Sequence, residues 1–316
     1  MIFKGIGATT HVDKHNCRIT KEALENAAKD INESTYAVGV GIEHDPTIMP
    51  IGKVINGKII RLEDGEYALE IEQELFQEYQ IYKDESDVKW YITESSMDTR
   101  PFADTQVENI EKIKISIDPV NFSHSDFEGL MDFYKKECLL DTECFMRKSV
   151  IPDPEIVLTL MTGTIAVMAG KKIADQVATD IAKIYELIKK VVLETVKRCK
   201  KGNRPITYVV KENNSYLMEL VVVTDKPEIL FEALSSDKIY QVETEVEEFV
   251  KNFNVEIAKL QCIYDIEKQK WTVNYASTKD GKVIGSEKCY RKTVEFAKRM
   301  GTELSVDITN NTDGHA

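Results

Sequence analysis

The chain has 316 residues, 42% hydrophobic and 30% charged, enough for two or three domains with buried cores. A net charge of −13 excludes general nucleic-acid binding, which needs clustered Lys and Arg against phosphate, and otherwise favours solubility. The six cysteines (17, 138, 144, 199, 262 and 289) form no CxxC pair and none has a histidine at metal-ligand spacing. They read as reduced thiols of a cytoplasmic protein that holds no metal and no cofactor, and the N-terminus lacks a signal-peptide pattern.

The first segment, residues 1–152, is predicted to be β-rich. Ile2 to Thr10 reads as an opening strand, and Thr20 as the N-cap of a helix whose apolar positions are Leu24, Ala27, Ala28 and Ile31. Val38 to Glu43 is extended. Val54 to Leu62 and Tyr67 to Phe76 form a predicted hairpin turning at Glu63-Asp64-Gly65. Residues 82–109 read as irregular and polar. From Ile110 to Pro119 isoleucines alternate with polar residues, so Ser116 shares a face with Lys112, Lys114 and Asp118, opposite Ile113, Ile115 and Ile117.

Residues 153–202 are predicted to be a helical connector that begins at Pro152-Asp153-Pro154. Ile156 to Gly170 carries no charge; as a helix its fifteen residues would span about 22 Å, short of the ~30 Å of a bilayer core. The expectation is a buried helix in a bundle or homo-oligomer interface, with membrane-surface contact as the lesser reading. From Lys171 onward Ile173, Val177, Ile181, Ile184 and Ile188 recur at helical spacing, and a basic cluster from Lys197 to Arg204 suits the helix dipole.

The last folded segment, 203–301, reads as a small α+β domain: a hairpin of Ile206–Val210 and Tyr216–Val223, helices over 228–234 and 242–253, a hairpin of 257–266 and 270–276, and a closing helix from Cys289. The tail, 302–316, is polar and expected to be mobile.

Three runs in the first segment carry a resemblance: GIGATTHVDKHNCRITKEALENAAKDIN, GIEHDPTIMPIGKV and EDGEYALEIEQELF. With KIKISIDPVNF after them, they resemble the HK97-type prohead (capsid maturation) serine proteases of tailed phages over about residues 1 to 120. The resemblance implies a barrel-like N-terminal fold of the herpesvirus and prohead-protease type. It also implies serine endopeptidase activity, with Ser116 as nucleophile and His44, just before Pro50-Ile51-Gly52, as base. The orienting third member would be Glu143, with Glu137, Asp141 and His124 as competitors. A hydrogen-bonded imidazole suits the task because it takes the serine proton during attack and returns it to the leaving amine.

The chain departs from that family where it has no glycine between Gly65 and Gly129, has Lys114 before the serine and has Asp118 two residues after it. An oxyanion hole needs free backbone N–H groups, and a carboxylate beside it opposes the developing charge. The alternative expectation is therefore an inactive prohead-protease-like protein that binds a partner, such as a phage structural protein, in capsid maturation or antiviral defence. Ser95 and Ser96 are rival nucleophiles. His11 and His15 flank Asp13 and read as solvated loop residues, and Cys138 and Cys144 as small packed hydrophobes.

Overall fold

The N-terminal elements follow their sequence signals closely. Strand β1 (Ile2–Thr9) leads to helix α1 (Lys21–Glu33), β2 (Val38–Val40), β3 (Gly52–Arg61) and β4 (Tyr67–Leu75). In this computed structural model the residues described are 2–13, 17–42, 45–93, 97–106, 110–145, 154–170, 174–200, 202, 204–299 and 305–307. Thr20 caps α1 with an extended backbone, its hydroxyl accepting the Ala23 N–H at 3.1 Å. The helix buries Leu24, Ala28 and Ile31 on Val54 and Leu69. Gly65, at φ +90°, supplies the left-handed residue of the β3–β4 turn. These strands form an antiparallel sheet in the order β1-β4-β3-β2, open at both edges among the described residues.

Strands β5 (Glu78–Lys83) and β6 (Lys89–Thr93) pair antiparallel around Asp84, whose carboxylate accepts the N–H groups of Ser86 and Val88, both at 2.9 Å. Much of this hairpin lies where the sequence reads as irregular, because strands of six and five residues are too short for a period to stand out.

A crossover follows: β7 (Ile113–Ile117), α2 (His124–Tyr134) and β8 (Leu140–Cys144), with β7 and β8 parallel. Next come β9 (Glu155–Leu160), α3 (Thr164–Met168) and α4 (Ala174–Arg198). The uncharged run from Ile156 is thus not one helix, as its lack of charge suggests, but begins with a strand. β9 lies between β7, antiparallel, and β10 (Ile206–Asn213), parallel, with Ile156, Leu158 and Leu160 buried. A strand covered on both faces reads as a continuous apolar run, which periodicity cannot tell from a buried helix. The long α4 buries Ile184, Leu187, Ile188, Val191 and Val192, the apolar face that the helical spacing marks out. No helix among the described residues is long and apolar enough to cross a membrane.

The rest is β11 (Leu217–Thr224), α5 (Pro227–Ala233), α6 (Ser236–Phe253), β12 (Ile257–Asp265), β13 (Lys270–Thr278), β14 (Val283–Ser286), α7 (Glu287–Arg299) and β15 (Ser305–Asp307). The protein is therefore mixed α+β, with seven helices among the described residues and strands predominating in the N-terminal half. It divides into two compact units. The first is Met1–Gln106, Glu256–Ala258 and Tyr275–Ala316; the second is Val107–Val255 and Lys259–Asn274. Most of the tail expected to be mobile lies outside the described residues.

In the first unit a latch surrounds Pro50-Ile51-Gly52. A Cβ on Gly52 would sit 2.2 Å from the Glu74 carbonyl oxygen, so only glycine lets β3 start against the end of β4. Lys53 is fully buried and donates to the carbonyl oxygens of Asp98 and Arg100, the latter at 2.7 Å. Arg100 in turn donates to the Ile31 and Ser34 carbonyls at the end of α1, both at 3.0 Å. Burial pushes the Lys53 amine down to about 8, against the pull of Asp98 and Glu74.

Two outcomes are expected. Gly52→Ala costs at least ~2 kcal/mol in urea unfolding, toward the upper end of overpacking costs, while Gly5→Ala, with nothing within 4 Å, costs far less. Between pH 8 and 10.5 the unfolded chain holds the Lys53 proton more firmly than the folded chain does, so this residue makes stability rise with pH. The stability gap between wild type and Lys53→Met should shift in favour of wild type across that window.

Candidate active site

Strand β7 is paired on both sides: Ser116 lies opposite Glu143 of β8 and opposite Val157 of β9. Ile113, Ile115 and Ile117 are at most 1% exposed, which puts Lys114 and Ser116 together on the other face, as the alternation predicts. The Ser116 hydroxyl donates to Glu143 Oε2 at 3.0 Å, and Lys114 Nζ lies 3.0 Å from the same oxygen. Bonds from Lys114 and then from Ser116 hold the Glu143 carboxyl below the usual range, so it is ionised at neutral pH. Two of the three predicted catalytic residues are thus neighbours across a parallel pair.

The third, His44, lies outside the described residues, as do the rival nucleophiles Ser95 and Ser96 and the loop residue His15. The competing acids have other partners: Glu137 pairs with Lys190, and Asp141 lies 3.7 Å from Lys112. His124 is exposed on α2 and pairs with Glu128 at 3.3 Å. His11 Nε2 lies 2.6 Å from Asp64. Among the described residues there is no group of three or more His, Cys, Asp or Glu side chains placed to hold a metal ion. Cys138 and Cys144 are exposed, not packed as small hydrophobes: β8 lies at the edge of its sheet and is open over Asp141–Cys144.

Asp118 ends β7 by accepting the Val120 N–H at 3.0 Å, which caps a 3₁₀ turn through Pro119. With ladder partners on both sides of residues 114–117, the N–H groups around Ser116 belong to the sheet and not to an anion-binding turn.

The same face continues across the second unit as a polar row. Lys114 lies opposite Thr159, Thr159 opposite Lys211, Lys211 opposite Glu219, and Glu219 opposite Gln261. Lys211 and Lys259 lie 3.0 and 3.1 Å from the two Glu219 oxygens. Gln261 donates to Glu219 at 3.0 Å, and Asn274 donates to Gln261 at 2.7 Å. Burial opposes ionisation of Glu219, yet Lys259, Lys211 and the Gln261 amide together hold its carboxyl well below the usual range. The sequence signal for this network was a lone acid within the strand Leu217–Thr224, whose other residues are all uncharged.

No protein-family model matches the chain, and no curated protein and no solved structure is significantly similar to it.

Replacing Glu219 with Gln leaves two lysines without their shared carboxylate, and should cost about 3–5 kcal/mol by chemical denaturation. Glu219 has a depressed folded pKa, so its contribution is present above the unfolded carboxylate range and lost as pH falls below it. The wild-type advantage over Glu219→Gln should therefore shrink on acidification below about pH 4.

Proposed function

We propose that the chain is a prohead-protease-like protein that binds a protein partner, of the class of phage structural proteins, without cleaving it. The resemblance of residues 1 to 120 supports the kinship, and with it a variant of the barrel-like prohead-protease domain. The antiparallel sheet carrying α1 is compatible with such a variant. The six free cysteines are in keeping with a reducing cytoplasm, the compartment proposed for it.

One observation carries the non-catalytic reading: the Ser116 hydroxyl donates its proton to a carboxylate that Lys114 keeps ionised. In a serine protease the hydroxyl gives its proton to the imidazole and the acid stands behind that imidazole, whereas here the hydroxyl is bonded to the acid itself. The serine endopeptidase reading, with Ser116, His44 and Glu143, keeps one observation in its favour. Ser116 and Glu143, chosen for catalysis from sequence, stand 3.0 Å apart.

Fluorophosphonate labelling separates the two. The binding reading expects no label on folded wild-type protein, and a complex with purified tailed-phage capsid protein that survives Ser116→Ala. Labelling that disappears in both Ser116→Ala and His44→Ala would replace it with the endopeptidase.

A further inference from the structure

The four-stranded sheet of the first unit has two free edges among the described residues, and they differ. β2 is three residues long, so it offers a further strand little to pair with. β1 runs for eight residues and pairs on one side only, with β4. Every residue from Ile2 to Ile6 is exposed. Three of them are large and apolar: Ile2 is 49%, Phe3 40% and Ile6 51% exposed. A Cβ on Gly5 would meet nothing within 4 Å, so the strand has open space beside it.

An edge strand presents a row of backbone N–H and C=O groups, and folded proteins guard such rows with proline, bulges or lysine. β1 has no proline, and its irregularity against β4 lies between Ile6 and Ala8, past the exposed stretch. Its one charged residue, Lys4, is drawn back onto Glu72 of β4 at 2.7 Å, with 60% of its side chain still exposed. What such a row accepts is another strand.

The side chains narrow the choice of strand. Ile2, Lys4 and Ile6 share one face by alternation, and the next column of that face, on β4, is Glu74, Glu72 and Glu70. An acid on the free side of Lys4 would continue the row in alternating charge, and apolar residues would cover Ile2 and Ile6. A second copy of β1 fits poorly. Antiparallel pairing about Lys4 sets Lys4 on its own copy, and like charges directly opposite destabilise a ladder. Pairing about Gly5 instead runs into the irregularity after Ile6. Five residues span about 17 Å, which suits a short extended segment better than the ~1,200 Å² and more of a stable dimer.

We propose that the Ile2–Ile6 edge of β1 docks an extended segment of a protein partner as an added strand, with an acid beside Lys4 and apolar residues beside Ile2 and Ile6. This rests on the binding reading above and gives it a surface and a class of sequence.

The probe is a fluorescein-labelled peptide, Thr-Ile-Thr-Glu-Thr-Ile-Thr, acetylated or labelled at one end and amidated at the other, titrated by anisotropy against the full chain. Saturable binding is expected. Of two isomers N-methylated along one or the other edge of the peptide, one should lose at least about tenfold in affinity and the other should bind, because an added strand uses one edge only. Replacing the peptide's Glu by Lys should weaken binding by at least about threefold, and folded Lys4→Glu should reverse that preference. No saturable binding, equal binding of both N-methylated isomers, or equal binding of the Glu and Lys peptides to wild type would each overturn the proposal. Dimerisation of the chain in sedimentation that Ile6→Thr abolishes would assign the edge to a second copy and overturn it too. A capsid-protein complex that forms while the peptide fails strikes the edge and leaves the binding reading standing; a peptide that binds as described while no capsid-protein complex forms supports the edge and strikes only the partner class.

Discussion

Glu219 is the charge on which the second unit depends. It stands in a strand whose other residues are all uncharged, with Lys211 and Lys259 reaching it from the strands on either side. Two uniformly apolar strands can pair in several registers at similar cost, because every shift of two residues restores the same faces. The carboxylate removes that freedom. A slip of two residues would keep Glu219 on its face but carry it about 7 Å along the strand, away from both lysines. Buried ion pairs contribute little net stability beside an apolar replacement, but they penalise misalignment heavily. The network thus acts chiefly as a register key for β10, β11 and β12, extended to β13 through Gln261 and Asn274.

The first unit solves a similar problem with backbone geometry. Pro50-Ile51-Gly52 is part of the resemblance to prohead proteases, yet its glycine has a local cause. Gly52 is required by the approach of the Glu74 carbonyl, and Lys53 ties the 98–100 segment to β3 while Arg100 closes the end of α1. A motif can therefore be demanded by packing alone, and its presence beside His44 is not by itself a sign of chemistry.

Sequence signals were legible where one local interaction decides the structure. Asp64-Gly65 fixes its turn, Thr20 its helix start, and the isoleucines of β7 their face. They failed where the answer depends on what lies next to a segment. Ile156 to Leu160 has no charge whether it is a buried helix or a strand covered on both faces, and only its position between β7 and β10 distinguishes them. The strands within residues 78–93 are too short for a period to announce a hairpin. At the site, the face of Ser116 was readable, but its rung opposite Glu143 was not, because parallel pairing across a helical crossover is set by the packing of α2 and not by any turn.

That rung decides the chemistry open to Ser116. A serine nucleophile needs a base near neutral pKa, a free donor pair for the oxyanion and room for an acyl group. In β7 the hydroxyl is directed at an ionised Glu143, the neighbouring N–H groups belong to two ladders, and the serine is only 7% exposed. The same three features are what a sheet needs to place a polar residue beside a buried isoleucine face. Lys114 neutralises the carboxylate, the carboxylate satisfies the hydroxyl, and the ladder satisfies the backbone. Hydroxyl, carboxylate, ammonium and backbone N–H groups on this rung thus all satisfy one another within the sheet.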